Sequence, residues 1–338
     1  MNLTYKSETC SVRLAWTGSD SIALNMLRSA NLGGVIPAVL MPRDETGRPI
    51  WADFDRNVQF LFERGVPGVC VNGATGEYAG CSNEERLEAV SRARRLAGSG
   101  RLLVAAVGSM RWEETVRLAL EAEDAGADAL LIPTPHFFSY EQGDLVEFYR
   151  QTVAKVHVPA LIYNLPAFTG GLEPQVAVDL IREVEGIAGI KDSSGRLDIL
   201  EALSADGRGA IRLVGNDSVL AAALERKLCD GTVSGVAGVL PELSLALVAS
   251  ASGDPSDFRL LETDLKDLIE QLDVFPTPWG LKLIAGCRQL HPASFSLPLS
   301  KTRKNQVASF RAWFSAWWER VQTDCERVLA ADVQTKGG

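Results

Sequence analysis

The sequence predicts a closed (β/α)8 barrel with an N-terminal extension and extra C-terminal helices. Three observations predict it. Eight short apolar runs recur along the chain, amphipathic stretches separate them, and no GxGxxG follows the first run, as the rival doubly wound open sheet would have it. Val/Ile/Leu/Ala runs without polar alternation suit strands buried on both faces, as parallel sheets require.

The eight runs are "GVIPAVLMP" (34–42), "GVCVNG" (68–73), "LLVAAVG" (102–108), "ADALLIP" (127–133), "VPALIYN" (158–164), "GIAGIK" (186–191), "AIRLVGN" (210–216) and "GTVSGVAG" (231–238). The helical patterns lie between them. "FDRNVQFLFERG" sets Phe54, Val58, Leu61 and Phe62 on one face and stops at Gly65. "NEERLEAVSRARRLAG" does the same with Leu87, Val90, Ala93 and Leu96, and "SMRWEETVRLALEAEDAG" and "SYEQGDLVEFYRQTVAKV" behave likewise. Several begin with Ser, Asn or Asp followed by acidic residues, which are helix-start signals. Such barrels take about 250 residues. The expected division is therefore an N-terminal extension over 1–30, the barrel with its site over 31–250, and a C-terminal helical region over 251–330. The last helical pattern, "NQVASFRAWFSAWWERV", aligns Phe310, Trp313, Phe314, Trp317 and Val321 in one stripe. Core or subunit packing is expected of it rather than contact with a membrane or ligand.

Composition narrows the function classes. The 338 residues are 46% hydrophobic and 23% charged, with a net charge of −9, an ordinary globular composition. An acidic chain is a poor partner for nucleic acid, whose phosphates want a basic face. No run of about eighteen apolar residues suggests a membrane span, and "MNLTYKSETCSVRLAWTGSD" has no basic-then-apolar signal pattern. The six cysteines (10, 70, 81, 229, 287, 325) stand singly, without a CxxC pair, and the three histidines have no metal spacing. Reduced thiols in a cytoplasmic protein are expected, with neither a disulfide framework nor a zinc site.

Chemistry on such a barrel sits at the C-terminal ends of the strands. Lys191 is expected as the last residue of the sixth strand. The plain alternative is a lysine that snorkels to the rim or pairs with Asp192. At the mouth of an apolar barrel, desolvation instead favours the neutral amine, which attacks a ketone and gives a Schiff base. Tyr163 ends the neighbouring fifth strand, and adjacent strands run about 4.8 Å apart, so the two can share a substrate. A phenol can move protons on and off the carbinolamine; alternatively it merely bonds some carbonyl. After the second strand, "VNGATGEYAG" supplies Gly73 and Gly76 for tight turns, and Thr75 for a hydroxyl. Successive N–H groups in such a turn form an anion cradle; the alternative is an ordinary βα loop. Cradle, phenol and amine at one end of a barrel are the needs of a 2-keto acid.

The blocks "GATGE" (73–77), "YNLPAFTG" (163–170), "GIKDSSG" (189–195) and "GNDS…GTVSGVAGVLPE" (215–242) resemble, in order and spacing, those of the dihydrodipicolinate synthase / N-acetylneuraminate lyase family of class I, pyruvate-type aldolases. The resemblance runs over roughly residues 33–325 and leaves out the N-terminal thirty. It implies Lys191 as the Schiff-base lysine and Tyr163 as the proton shuttle. It also implies that Ala74 and Thr75 hold the keto-acid carboxylate, and that Gly215 and Val233 line the pocket beside Asn216. It further implies pyruvate or a related 2-keto acid as substrate, no metal or organic cofactor, and a homotetramer of barrels.

The chain also departs from the family pattern. Ala74 stands where a Thr or Ser hydroxyl is usual. Phe137, in "TPHFFSY", stands where the family places a tyrosine that reaches a neighbouring subunit's site. Both groups that would relay protons from Tyr163 are missing, with His136 beside the gap. Phe168 stands where a dihydrodipicolinate synthase carries an arginine. The expected activity is a carbon–carbon lyase or related dehydratase acting on a 2-keto acid through Lys191. The alternatives are the synthase itself, joining pyruvate to aspartate semialdehyde, and a barrel that binds a keto acid without catalysis.

Overall fold

The computed structural model describes residues 34–207 and 209–336. The expected N-terminal extension, 1–30, lies outside the described residues. The eight strands are β1 (Val35–Pro37), β2 (Gly68–Val71), β3 (Leu102–Ala106), β4 (Ala129–Pro133), β5 (Ala160–Asn164), β6 (Ile187–Asp192), β7 (Ile211–Val214) and β8 (Gly231–Ser234), one in each predicted run. All pairs are parallel, in the order β1-β8-β7-β6-β5-β4-β3-β2. An Ala38–Cys70 bridge, with Val39 N–H donating to the Cys70 carbonyl at 2.9 Å, joins β1 to β2 and completes the circle. Chain and structure agree on a (β/α)8 barrel.

Side-chain alternation divides each strand between two cores. Leu102, Val104, Leu131, Leu161, Tyr163 and Leu213 fill the interior. Their neighbours Leu103, Ala105, Leu130, Ile162 and Val214 face the helices. β6 breaks the rule once. Ala160 pairs with Ile187, but Leu161 pairs with Gly189, so β6 carries one extra residue, Ala188, whose side chain stays in the interior. After the bulge Gly189 and Lys191 fall in register with the inward residues Leu161 and Tyr163 on one side and Ile211 and Leu213 on the other. Only glycine fits at 189, because a Cβ there would lie 2.1 Å from the Ile211 carbonyl oxygen. The bulge thus turns Lys191 into the barrel.

β6 runs one residue beyond its predicted end. Asn164 Nδ2 donates to Asp192 Oδ1 at 2.7 Å, and this buried pair prolongs the ladder. Helices follow the predicted segments: Trp51–Glu63, Asn83–Ala97, Trp112–Asp124 and Gln142–Val153. The first buries Phe54, Val58, Leu61 and Phe62 as its pattern requires. The second is rotated from expectation. It buries Arg86, Ala89, Val90, Ala93 and Ala97, while Leu87 and Leu96 are half-buried. The Arg86 guanidinium is drawn inward by donating to the carbonyls of Ala106, the last residue of β3, and of Gly108 just beyond it.

Beyond the barrel, helices Pro255–Leu272, Trp279–Cys287 and Lys301–Lys336 pack onto the same outer core. The stripe Phe310, Phe314, Trp317 and Val321 is buried there, with Trp313 half-buried. Among the described residues no helix is long and apolar enough to cross a membrane.

Candidate active site

Lys191 enters a cavity of about 320 Å³ at the C-terminal mouth of the barrel. It is 3% exposed, and its Nζ sits 4.1 Å from the centroid of the buried Tyr163 ring. The two residues are direct register partners across β5 and β6. Asp192 is no counter-ion for it. That carboxylate points the other way, accepting from Asn164 and from the Ser194 N–H and hydroxyl at 2.7, 3.0 and 2.9 Å. Among the described residues Lys191 forms no ion pair. The cavity also holds Gly215 against the stem of the lysine, since a Cβ at 215 would meet Lys191 Cγ at 2.9 Å and Cε at 2.6 Å.

The turn after β2 forms the opposite wall. Gly76 N–H donates to the Gly73 carbonyl and Glu77 N–H to that of Ala74, at 3.0 and 2.9 Å. The Ala74 and Thr75 N–H groups are left without a partner among the described residues, at the cavity surface. Glu77 closes the turn with a left-handed backbone, φ 53°. Its carboxylate pairs with the ammonium of Lys282, which is 1% exposed and reaches in from the helix Trp279–Cys287. Free amides facing a buried amine can hold a carboxylate while the amine attacks the adjacent carbonyl.

Of the residues singled out in the sequence, the cavity gathers Lys191, Tyr163, Ala74, Thr75, Gly215, Asn216, Val233 and Phe168. Phe137 is not among them. It is 81% exposed, with φ 81°, and packs edge-on against Phe138 on the outer surface. The structure adds Ser193 and Asp217, both with a buried oxygen lacking a hydrogen-bond partner. Burial pushes the Asp217 carboxyl above its ordinary range. Both lay inside the recognised blocks, where position gave the signal. The distal wall had no such signal. Ile269, Leu272, Phe275, Pro278 and Leu281 come from helices and a loop far along the chain and meet the pocket only in the fold. Among the described lining residues Lys191 is the only cation; Asp217 and Asp273 are the anions.

A barrel that presents a buried amine to a carboxylate cradle works by the chemistry of class I aldolases, and this chain is a lyase of that class. It belongs to the dihydrodipicolinate synthetase family, whose model matches residues 31–316. Among its relatives, the 4-hydroxy-tetrahydrodipicolinate synthase of Natronomonas pharaonis is 31% identical, over 79% of this chain and 91% of the relative. That of Methanocaldococcus jannaschii is 29% identical, over 79% and 92%. The dihydrodipicolinate synthase of Acinetobacter baumannii, solved with pyruvate bound, superposes with a TM-score of 0.78 at 26% identity, over 85% of this chain and 99% of that one.

Proposed function

We propose that the protein cleaves or forms a carbon–carbon bond of a 2-keto acid, with pyruvate as one component, through an imine on Lys191. The observation that carries this is the pairing of Lys191 with Tyr163 inside the cavity, opposite the free amides of Ala74 and Thr75. The amides and the Thr75 hydroxyl hold the carboxylate. The Lys191 amine adds to the ketone carbon, the oxygen takes the phenolic proton of Tyr163, and water leaves as the imine forms. The protonated imine then draws electrons from the neighbouring carbon, which allows an aldol bond to break or form. The lysine itself supplies the electron sink, so no metal or organic cofactor is required. Gly215 and Val233 shape the wall beside the imine, and Asn216 and Phe168 border the side where the second substrate lies.

The named relatives favour the narrower reading, a synthase that condenses pyruvate with aspartate semialdehyde. Against it stands Phe168, which offers no charge to a second carboxylate, in a lining whose only cation among the described residues is the nucleophile itself. We therefore favour an aldolase or lyase whose second component has an uncharged tail. The barrel over 31–250 supplies the chemistry, and the region over 251–330 supplies the distal wall. We further propose a homotetramer. The five described cysteines are free, which supports a cytoplasmic location.

The test is incubation with pyruvate and borohydride followed by intact mass and peptide mapping. A reduced pyruvate adduct on Lys191, absent from Lys191→Ala, is expected. An unmodified wild-type protein would leave a non-catalytic binding barrel as the better description, and an adduct on another lysine would refute the assignment.

A further inference from the structure

Part of the distal wall of the cavity is a loop. Residues 273–278 join the helices Pro255–Leu272 and Trp279–Cys287, and Asp273, Phe275, Pro276, Thr277 and Pro278 all line the cavity. The backbone of the loop fixes its two ends. Phe275 N–H donates to the Leu272 carbonyl at 2.9 Å, and Trp279 N–H to that of Pro276 at 2.7 Å. The middle is held from outside. Arg303, in the first turn of the helix Lys301–Lys336, donates through Nη1 to the Val274 carbonyl. The same guanidinium lies over the Phe275 ring, 5.6 Å from its centroid. Phe310, about two turns further along that helix, meets the Phe275 ring edge to face at 5.5 Å.

An arginine is out of place here by local rules. The first turn of the helix carries Lys301, Arg303 and Lys304 and no acidic residue, although the positive end of the helix dipole disfavours cations there. The contacts with the loop give a reason for Arg303 that its helix does not. We infer that Arg303 is a positioning residue for the part of the substrate beyond pyruvate. It clamps Val274 and Phe275 so that the Phe275 ring forms the wall along which the tail of a longer 2-keto acid lies. This rests on the Schiff-base reading and deepens it. Arg303 acts through the loop, since it does not itself line the cavity.

The cradle and Lys191 take up the carboxylate and the ketone. The chain beyond them has the rest of the lining, where Ile269, Leu272, Phe275 and Leu281 are apolar. Apolar attraction depends on close contact, and a gap of about 0.5–1 Å already forfeits a quarter to a half of it. The wall therefore has to be held still. Burial alone secures only half of the loop middle, because the Phe275 ring is buried while Val274 beside it is 40% exposed. The guanidinium supplies the missing hold, at the backbone of one residue and the ring of the next. Without it the Val274 carbonyl would turn to water and the ring would lose its cover. The cradle turn and β6 lie elsewhere in the chain, so the grip on the carboxylate and the amine would be spared.

Borohydride trapping of two 2-keto acids tests the clamp without any aldehyde. Pyruvate needs only the cradle and the lysine, whereas 2-oxohexanoate adds an uncharged tail. The wild-type protein should trap both on Lys191. In Arg303→Ala the half-saturating concentration of 2-oxohexanoate should rise by about 5- to 20-fold, part of what a charge-assisted hydrogen bond and a cation–π contact are worth. That of pyruvate should stay within about twofold of wild type. Phe275→Ala should give the same split, and adding Arg303→Ala to it should cost nothing more, because the clamp acts through that ring. A loss that falls equally on both acids assigns Arg303 to the fold at large and overturns the clamp. Unchanged saturation by 2-oxohexanoate in Arg303→Ala, fully additive losses in the double variant, or a wild-type protein that traps pyruvate alone would each overturn it too. A wild-type protein that traps neither acid fails the Schiff-base reading instead, and Lys191→Ala marks that baseline.

Discussion

Glu77 and Lys282 stand 205 positions apart in the chain and form an ion pair that lines a second cavity, together with Arg43 and Phe295. The pair ties the cradle turn after β2 to a helix that lies outside the barrel repeat. Glu77 needs the tie, because its left-handed backbone is one that a non-glycine residue seldom adopts.

Lys282→Ala should therefore weaken both the fold and the grip on the keto acid. Removing one partner of a buried pair leaves the other charged and unpaired. Glu77 keeps some access to water, so a loss of about 2–3 kcal/mol is expected, read by urea denaturation. The pyruvate concentration that half-saturates borohydride trapping should rise at the same time. Unchanged saturation with reduced stability would confine the pair to a structural role.

Gly215→Ala should leave the barrel folded and silence its lysine. The added methyl would press on Lys191 Cγ and Cε and on Ser193 Oγ, at 2.9, 2.6 and 2.1 Å. The stem would have to swing into the cavity, away from its place over the Tyr163 ring. We expect a native circular dichroism spectrum and loss of the trapped adduct. Full trapping would show that the stem can bypass residue 215.

A steady-state comparison of aspartate semialdehyde with aldehydes bearing uncharged tails tests the substrate preference. Burying the carboxylate of the semialdehyde without a cation is costly, and the ring of Phe168, 57% exposed at the cavity, cannot pair with it. We expect kcat/KM for the semialdehyde well below about 10⁴ M⁻¹s⁻¹, a value typical of a working enzyme. A value above that would make the synthase the correct description.

The surface beside the β4 loop points to association. Met110, Trp112, Phe137, Phe138 and Tyr140 are all exposed there, a set of large apolar side chains suited to a subunit contact. Light scattering at micromolar concentration should find an oligomer, with a tetramer expected. Phe137→Asp together with Phe138→Asp should shift it to smaller species. A wild-type monomer would contradict the assembly.

The barrel was legible because each strand is buried on both faces and so appears as an unbroken apolar run. Lys191 stood out because it interrupts such a run. Less legible was whatever depends on a polar group finding a distant partner. Asp192 extended β6 by bonding Asn164, and Arg86 was drawn inward by capping strand carbonyls. Lys282 looked like one more helical lysine until the fold set it under Glu77. The distal wall was illegible for a related reason. Its apolar residues are ordinary helix and loop residues, and only the packing of Pro255–Leu272 and Trp279–Cys287 over the mouth turns them toward a substrate.

The bulge at Ala188 means that residue count as well as residue type bears on whether this barrel has a nucleophile. Deleting Ala188 would leave "GIGIKD", as apolar as before and as able to fill a strand. Yet β6 would then alternate strictly from Ile187, or else slip in register, and every residue beyond the deletion would be placed by that choice. If the ladder with β5 held from Ala160 to Leu161, Lys191 would stay inside. If the start of β6 were instead anchored by its own loop, the amine would face the helices and the cavity would lose its chemistry. Such a barrel could keep its fold, its hydropathy and all its motif letters and still be inert.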